Sequence, residues 1–462
     1  MADQYAVGTT WNTAASWAST GGGSDETGPP TVDDNAIFDA GSQDMTVDVA
    51  AAVQTLNMDG FSGTLTVSND LDVVSFVTLG GTINAGGNTI YCGGSVNILA
   101  GTVFTNAGTS TLYFESSGWD WTLTVADGAA LTLPKITVNN SSATSLTLAS
   151  ALTCAGFTMT NTAGVKFNDG NFAVNVAGDI SIGASCTRSG AGTWTQTANG
   201  TLSNDTVANR FALVVSAVST LALRVAISSL AGGGSVVMNG KDLYLVPGGD
   251  DFWTFTGAMA GAGNVLLTER TANTYNTAVV NTGSVNTVIN GFTNDMSWTF
   301  LSDLVTTGTL LVKNGTAGKR ATVAVGGALT AGAITLGSAA AEAEVNSLGT
   351  LTLSGAGPHT IASIVAAGAG TTHGLNLGTS TITLSGTIDA TGIVVTNTSA
   401  RINEASGGTA VVLDLIDNSD MTASPIIAAA EVDIGTDNNA GAVVNIVYDS
   451  STPMRMLMGV GT

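Results

Sequence analysis

Short runs in which apolar and small polar residues alternate recur along almost the whole chain, and Gly, Asn, Asp or Ser closes most of them. Gly63-Thr-Leu-Thr-Val67, Thr102-Val-Phe104, Ser110-Thr-Leu-Tyr-Phe114, Trp121-Thr-Leu-Thr-Val125, Ser145-Leu-Thr-Leu148, Gly349-Thr-Leu-Thr-Leu353 and Ser380-Thr-Ile-Thr-Leu384 are examples. A period of two places successive side chains on opposite faces of a strand, so Leu65 and Val67 are expected inward and Thr66 outward. A strand this short cannot bury its inner face alone. Stacking it on the equivalent strand of the next turn pairs its backbone and builds a continuous apolar column. Two or three such runs fit into every roughly 20–25 residues, the scale of one solenoid turn. The sequence therefore predicts an all-β protein, a right-handed β-solenoid (β-helix) of stacked short strands.

Composition agrees with this reading. The 59 glycines are suited to corners with positive φ, and only 7 prolines interrupt the backbone ladders. Val, Ile and Thr, stiff at χ1, suit a pleated surface. Charged residues make up 10% of the chain, against about 25% in an average soluble domain, while 44% is hydrophobic, enough for a sizeable core.

The charge is one-sided. There are 34 acidic and 12 basic residues, for a net charge of −22, and no Lys or Arg precedes Lys135. Such a chain is repelled by phosphate backbones and anionic bilayers, which argues against nucleic-acid partners and against membrane binding. Cys92, Cys154 and Cys186 are odd in number, widely spaced and without a C-x-x-C pair, so buried free thiols are expected and a zinc or redox site is not. Two histidines, His359 and His373, leave little for His-based catalysis or metal ligation. No cofactor is expected. The opening Met1-Ala2-Asp3-Gln4 lacks the charged and apolar regions of a secretory signal, and no apolar stretch approaches the ~18 residues of a membrane helix.

Three regions are distinguished. Residues 1–50 carry Trp11, Trp17 and Phe38 and read as an N-terminal cap or attachment segment, because an open end rung is an exposed strand edge. Residues 51–400 read as the solenoid body. Residues 401–462 contain fuller strands, Ala410-Val-Val-Leu-Asp-Leu-Ile416 and Ala442-Val-Val-Asn-Ile-Val-Tyr448, then Met454-Arg-Met-Leu-Met458. They read as a small C-terminal β module or oligomerisation cap with a Met-rich contact surface. Ala339–Val345 and Ser424–Glu431 read as loops or strand entries rather than helices.

The order Trp11, Trp17, a Gly-rich spacer, Pro30-Thr-Val-Asp-Asp-Asn-Ala-Ile-Phe38, Val47-Asp-Val49 and Gly60-Phe-Ser-Gly-Thr-Leu-Thr-Val67 resembles the opening of Gly/Thr-rich β-solenoid virion proteins of tailed bacteriophages, and of autotransporter-like adhesins. The match covers about the first 70 residues by motif and the remainder by rhythm. The phage resemblance implies a fibre, spike or head-decoration protein on the virion surface, forming a homo-oligomer such as a trimer. It implies contacts with capsid or tail proteins and with a host-surface glycan, and no enzymatic activity. A cell-surface adhesin or extracellular filament subunit is the alternative, and a glycan depolymerase is the third reading.

Three groups of residues are candidates for chemistry. Asp33, Asp34, Asp39, Asp44 and Asp48 form an acidic cluster with oxygen ligands for Ca²⁺, although the spacing fits no calcium loop and turn capping is the plainer reading. Glu115 and Asp120 flank a turn beside Trp119 and Trp121, and Asp250 and Asp251 precede Phe252 and Trp253. A carboxylate pair in a Trp-lined groove is what glycan cleavage requires, while aromatic rings packed on a coil face are the structural reading of the same residues. No residue is therefore assigned as catalytic, cofactor-binding or metal-ligating.

Overall fold

The structure, a computed structural model, describes residues 2–384 apart from 116–119, 140–143, 161, 163, 205, 248–251, 269–272, 276–279, 292–294, 315–317, 339–346, 356, 368–372 and 378–380, and beyond 384 only Ile388–Asp389, Ile393–Thr396 and the strands named below. Met454–Met458 and Ala339–Val345 lie outside the described residues.

The chain is a β-solenoid of short parallel strands. Among the described residues there is no α-helix, only single 3₁₀ turns such as Ala14–Ser16 and Gly128–Ala130. Among the described residues no helix is long and apolar enough to cross a membrane. The chain divides into two compact units, residues 1–227 and 228–462.

In unit 1, from Thr111–Phe114 to Ile180–Ile182, each strand pairs with the one three places later, so that a turn contributes three strands. Thr111–Phe114 pairs with Lys135–Val138, Trp121–Val125 with Ser145–Leu148, and Thr132–Leu133 with Leu152–Cys154, all parallel. Along one column Ile90, Leu112, Ile136, Phe157, Ile180 and Leu202 are successive partners, at spacings of 22, 24, 21, 23 and 22 residues. These partners are all fully buried. The turn length is therefore the one the rhythm predicted. Unit 2 repeats the scheme: Leu243, Val265, Thr287, Leu310 and Ile334 follow one another in one parallel column. Beyond residue 400, Arg401–Glu404, Val411–Asp414, Ile426–Ala428, Val432–Ile434 and Ile446–Tyr448 continue the parallel ladder.

The side-chain alternation follows the strand period. Leu65 and Val67 are fully buried and Thr66 is half-buried. The run Thr102-Val-Phe104 is inverted: Thr102 is 3% exposed and Val103 is 50% exposed. Thr102 faces in because its hydroxyl donates to the carbonyls of Leu99 (2.7 Å) and Leu79 (3.1 Å), which satisfies the buried polar group.

At the N-terminal end Asp3–Ala6 pairs antiparallel with Trp17–Ala18 and parallel with Asn35–Ile37, so the first turn closes on itself. Trp11 and Trp17 meet edge to face at 4.8 Å, and Phe38 packs on Trp17 at 5.9 Å and on Phe61 at 5.3 Å. The Trp17 indole N–H donates to the Trp11 carbonyl at 2.8 Å, so the ring is buried without an orphaned donor.

Candidate functional site

The acidic residues that looked like ligands act mainly on backbone. Asp34 accepts from Thr31 (3.1 Å from N, 2.7 Å from the hydroxyl) and from the Ala2 N–H at 3.2 Å, and its hydrogen bond from Thr31 holds its carboxyl below the usual range. Asp39 accepts the Gly41 N–H, Asp44 the Thr64 N–H and Asp48 the Asn12 N–H, at 2.8, 2.6 and 3.0 Å. The Asp33 side chain is exposed. Among the described residues no group of three or more His, Cys, Asp or Glu is placed to hold a metal ion.

The same device recurs along the solenoid. Asp70, Asp120, Asp179, Asp242, Asp295 and Asp303 accept the backbone N–H of Thr89, Ser145, Thr201, Asn264, Arg320 and Ala328, at 2.6–3.1 Å and 19–25 residues away. Each carboxylate sits near a strand entry and clamps an N–H at or next to the start of the strand stacked on it. These are charge-assisted bonds, about twice as strong as neutral ones. Sequence reasoning did not foresee this use, because each partner lies a whole turn away.

Among the described residues of the Glu115 and Asp120 candidate, no Trp-lined groove is seen. Asp120 is engaged by Ser145, and Trp121 faces the core at 2% exposure, stacked on Phe114 at 6.5 Å. Its position in the alternation puts it inward. Trp119 lies outside the described residues. Phe252 and Trp253 are likewise buried, and Asp250 and Asp251 are outside the described residues.

Glu115 has a different neighbour. A shallow surface depression of about 310 Å³ is lined by Ala50, Ala51, Ala52, Asp70, Asp72, Tyr91 and Glu115. Asp72, Tyr91 and Tyr113 are successive outward partners on three stacked strands. The two tyrosine rings tilt against each other at 5.2 Å, and the Tyr113 oxygen accepts from Asn139 Nδ2 at 2.6 Å. Partial burial raises the carboxyl of Asp72. Burial, and then the charge of Asp72, raises that of Glu115. Neither carboxylate has a hydrogen bond or ion pair among the described residues, unlike the clamping aspartates. The depression thus combines aromatic faces with uncommitted acceptors on an open surface. Asp72 and Tyr91 were not singled out from sequence, since Leu71–Leu79 and Thr89–Cys92 become neighbours only by stacking.

Inside unit 1 a buried ion pair joins Arg188 to Asp169. The column Trp121, Leu146, Phe167 ends on Arg188, so a guanidinium occupies an apolar position. Its carbon lies 5.6 Å from the Trp194 ring centre and 5.7 Å from that of Phe211. Arg188 donates to the Arg210 carbonyl at 2.8 Å. Asp169 also accepts the N–H of Asn171 and Gly192, both at 3.0 Å, and the Trp194 indole N–H at 3.2 Å. Gly190, at φ +99°, leaves room for it: a Cβ there would lie 1.9 Å from Asp169 Oδ1. The pair is enclosed and its acceptors are filled, which makes it a packing element rather than a reactive centre.

The three cysteines are buried and unpaired. Burial pushes the Cys154 thiol up to about 12 and the Cys186 thiol up to about 11, and it raises Cys92 as well, so none is a thiolate at neutral pH. Comparison with known protein families, curated proteins and solved structures finds no match to this chain.

Proposed function

We propose that this chain is a non-catalytic structural protein of a virion surface, a fibre, spike or decoration component that presents a face to the host. The observation that carries the reading is the use of the acidic residues. Asp44, Asp70, Asp120, Asp179, Asp242, Asp295 and Asp303 are spent as rung-to-rung clamps, which suits a body whose task is mechanical. The resemblance of the first 70 residues to phage solenoid proteins supports the virion setting, with capsid or tail proteins as neighbours and a homo-oligomer such as a trimer as the working form.

The depression at Tyr91 is our candidate for glycan contact. Tyrosine faces cover the apolar side of a sugar ring, and uncommitted carboxylates accept its hydroxyls.

Electron microscopy of the native source with immunogold directed to this chain tests the setting. Label at regular positions on tailed particles is expected. Label on cell envelopes or free filaments would move the reading to an adhesin or filament subunit. Release of reducing ends from a surface polysaccharide by the purified chain would overturn the non-catalytic part.

A further inference from the structure

The chain has two histidines, and both do the same thing. Each starts a strand, His359–Ala366 and His373–Asn376, and each is buried, at 0% and 1% exposure. His359 Nδ1 accepts the backbone N–H of Leu329 at 3.0 Å, 30 residues earlier. His373 Nδ1 accepts the backbone N–H of Gly349 at 3.1 Å, 24 residues earlier. An imidazole nitrogen therefore takes a turn-to-turn N–H as the clamping carboxylates do, but it reaches back to the preceding turn, where they reach forward. Gly337, at φ +83°, lies against the His373 ring: a Cβ there would come within 2.1 Å of Cε1, so the glycine makes room for the imidazole.

This acceptor role requires the neutral ring. A proton on Nδ1 would point at another N–H, turning a hydrogen bond into two opposed donors in a buried site. We propose that His359 and His373 are an acid-sensitive catch, in which protonation of either ring releases the turn it clamps and opens that part of unit 2.

The surroundings set the balance. His359 faces the Gly355 carbonyl, 3.4 Å from Nε2, and the Asp303 carboxylate, which favours the cation but is itself held by the Ala328 N–H at 2.6 Å. His373 faces the Ala367 carbonyl and the Arg320 guanidinium, and the latter opposes the cation. Burial is the leading influence on both rings and lowers them below their ordinary value of 6.5. The unfolded or opened segment thus binds protons more readily than the closed one. The stabilisation is complete above 6.5 and is lost as pH falls from 6.5 towards the lower value of the closed state.

The test is amide hydrogen exchange on the full chain from pH 7.5 to 5.0, corrected for intrinsic exchange, read at Leu329 and Gly349. Opening is expected to rise by up to roughly tenfold per pH unit for each histidine, between 6.5 and the lower value of the closed state. His359→Asn and His373→Asn keep an acceptor oxygen without titrating and are expected to flatten the profile. If those variants fail to fold, the imidazole resonances of the unaltered chain decide. Neutral Nε2–H rings at pH 7 with titration midpoints below 6.5 support the catch. A flat exchange profile in the unaltered chain, an equally steep one in the Asn variants, or midpoints at or above 6.5 would overturn it.

Discussion

Two interior columns of unit 1 are built differently on the same turn geometry. Met45, Leu65 and Ile83 form a column that is apolar at every level. The column through Trp121, Leu146 and Phe167 ends on Arg188, whose charge is met by Asp169. Parallel stacking accepts either filling, although the second leaves Trp121 Nε1 and Arg188 Nε buried without a hydrogen-bond partner among the described residues. The energetics differ. Apolar area contributes about 25 cal/mol per Å² without directional demands. A buried ion pair gives back much of its attraction as desolvation, so it serves geometry more than net stability. We take the Asp169–Arg188 pair as a register lock, with Gly190 and Gly192 making room for it.

The strongest way to break this comparison is to put a charge where none is matched. Leu65→Asp places a carboxylate in the apolar column and is expected to cost more than about 4 kcal/mol, or to prevent folding of unit 1. Thr66→Asp, on the outer face, is expected to stay within about 0.5 kcal/mol. Denaturant unfolding compares them, and equal losses would sink the assigned alternation.

Next comes the ion pair itself. Asp169→Ala strands the Arg188 charge and is expected to cost about 3–5 kcal/mol. Asp169→Leu combined with Arg188→Met converts the second column into the first and is expected to recover most of that loss. A double variant as unstable as Asp169→Ala would show that the hydrogen-bond network, rather than the stranded charge, sets the cost.

A smaller effect is expected at the clamps. Asp179 takes both the N–H (2.7 Å) and the hydroxyl (2.9 Å) of Thr201, so Asp179→Ala should lose about 1.5–3 kcal/mol. Asp59→Ala, at an exposed aspartate, is the control and should change stability by less than about 0.5 kcal/mol. Indistinguishable midpoints for the two would remove the clamp from the account.

The least perturbing probe is thiol labelling at pH 8. Cys186, at 6% exposure and with the lower of the two raised values, should react before Cys154, and both should react fully only in denaturant. Prompt native labelling of Cys154 would mean that the core of its column opens readily.

Much of this was legible before the structure. The alternation at Leu65, Thr66 and Val67 is local, since strand period alone decides which side chain faces in. The burial of Trp11, Trp17 and Phe38 was legible too, because they are large apolar groups gathered in one short segment. The Thr102-Val-Phe104 inversion was not, since two carbonyls, one of them from the preceding turn, receive the Thr102 hydroxyl. Nor was the pairing of Asp72 with Glu115, which lie 43 residues apart and meet only across stacked strands.

The strand period, the inward apolar set and the small residues at corners could be read from the chain alone, because each depends on a residue and its immediate neighbours. Only the tertiary structure decided which carboxylate clamps which N–H, that Arg188 is answered by Asp169, and that both histidines act as backbone acceptors. Those choices depend on what lies one turn above or below. The offset between stacked partners varies from 18 residues, as between Leu65 and Ile83, to 32, as between Gln4 and Ala36, so no fixed offset in the sequence reveals the partner.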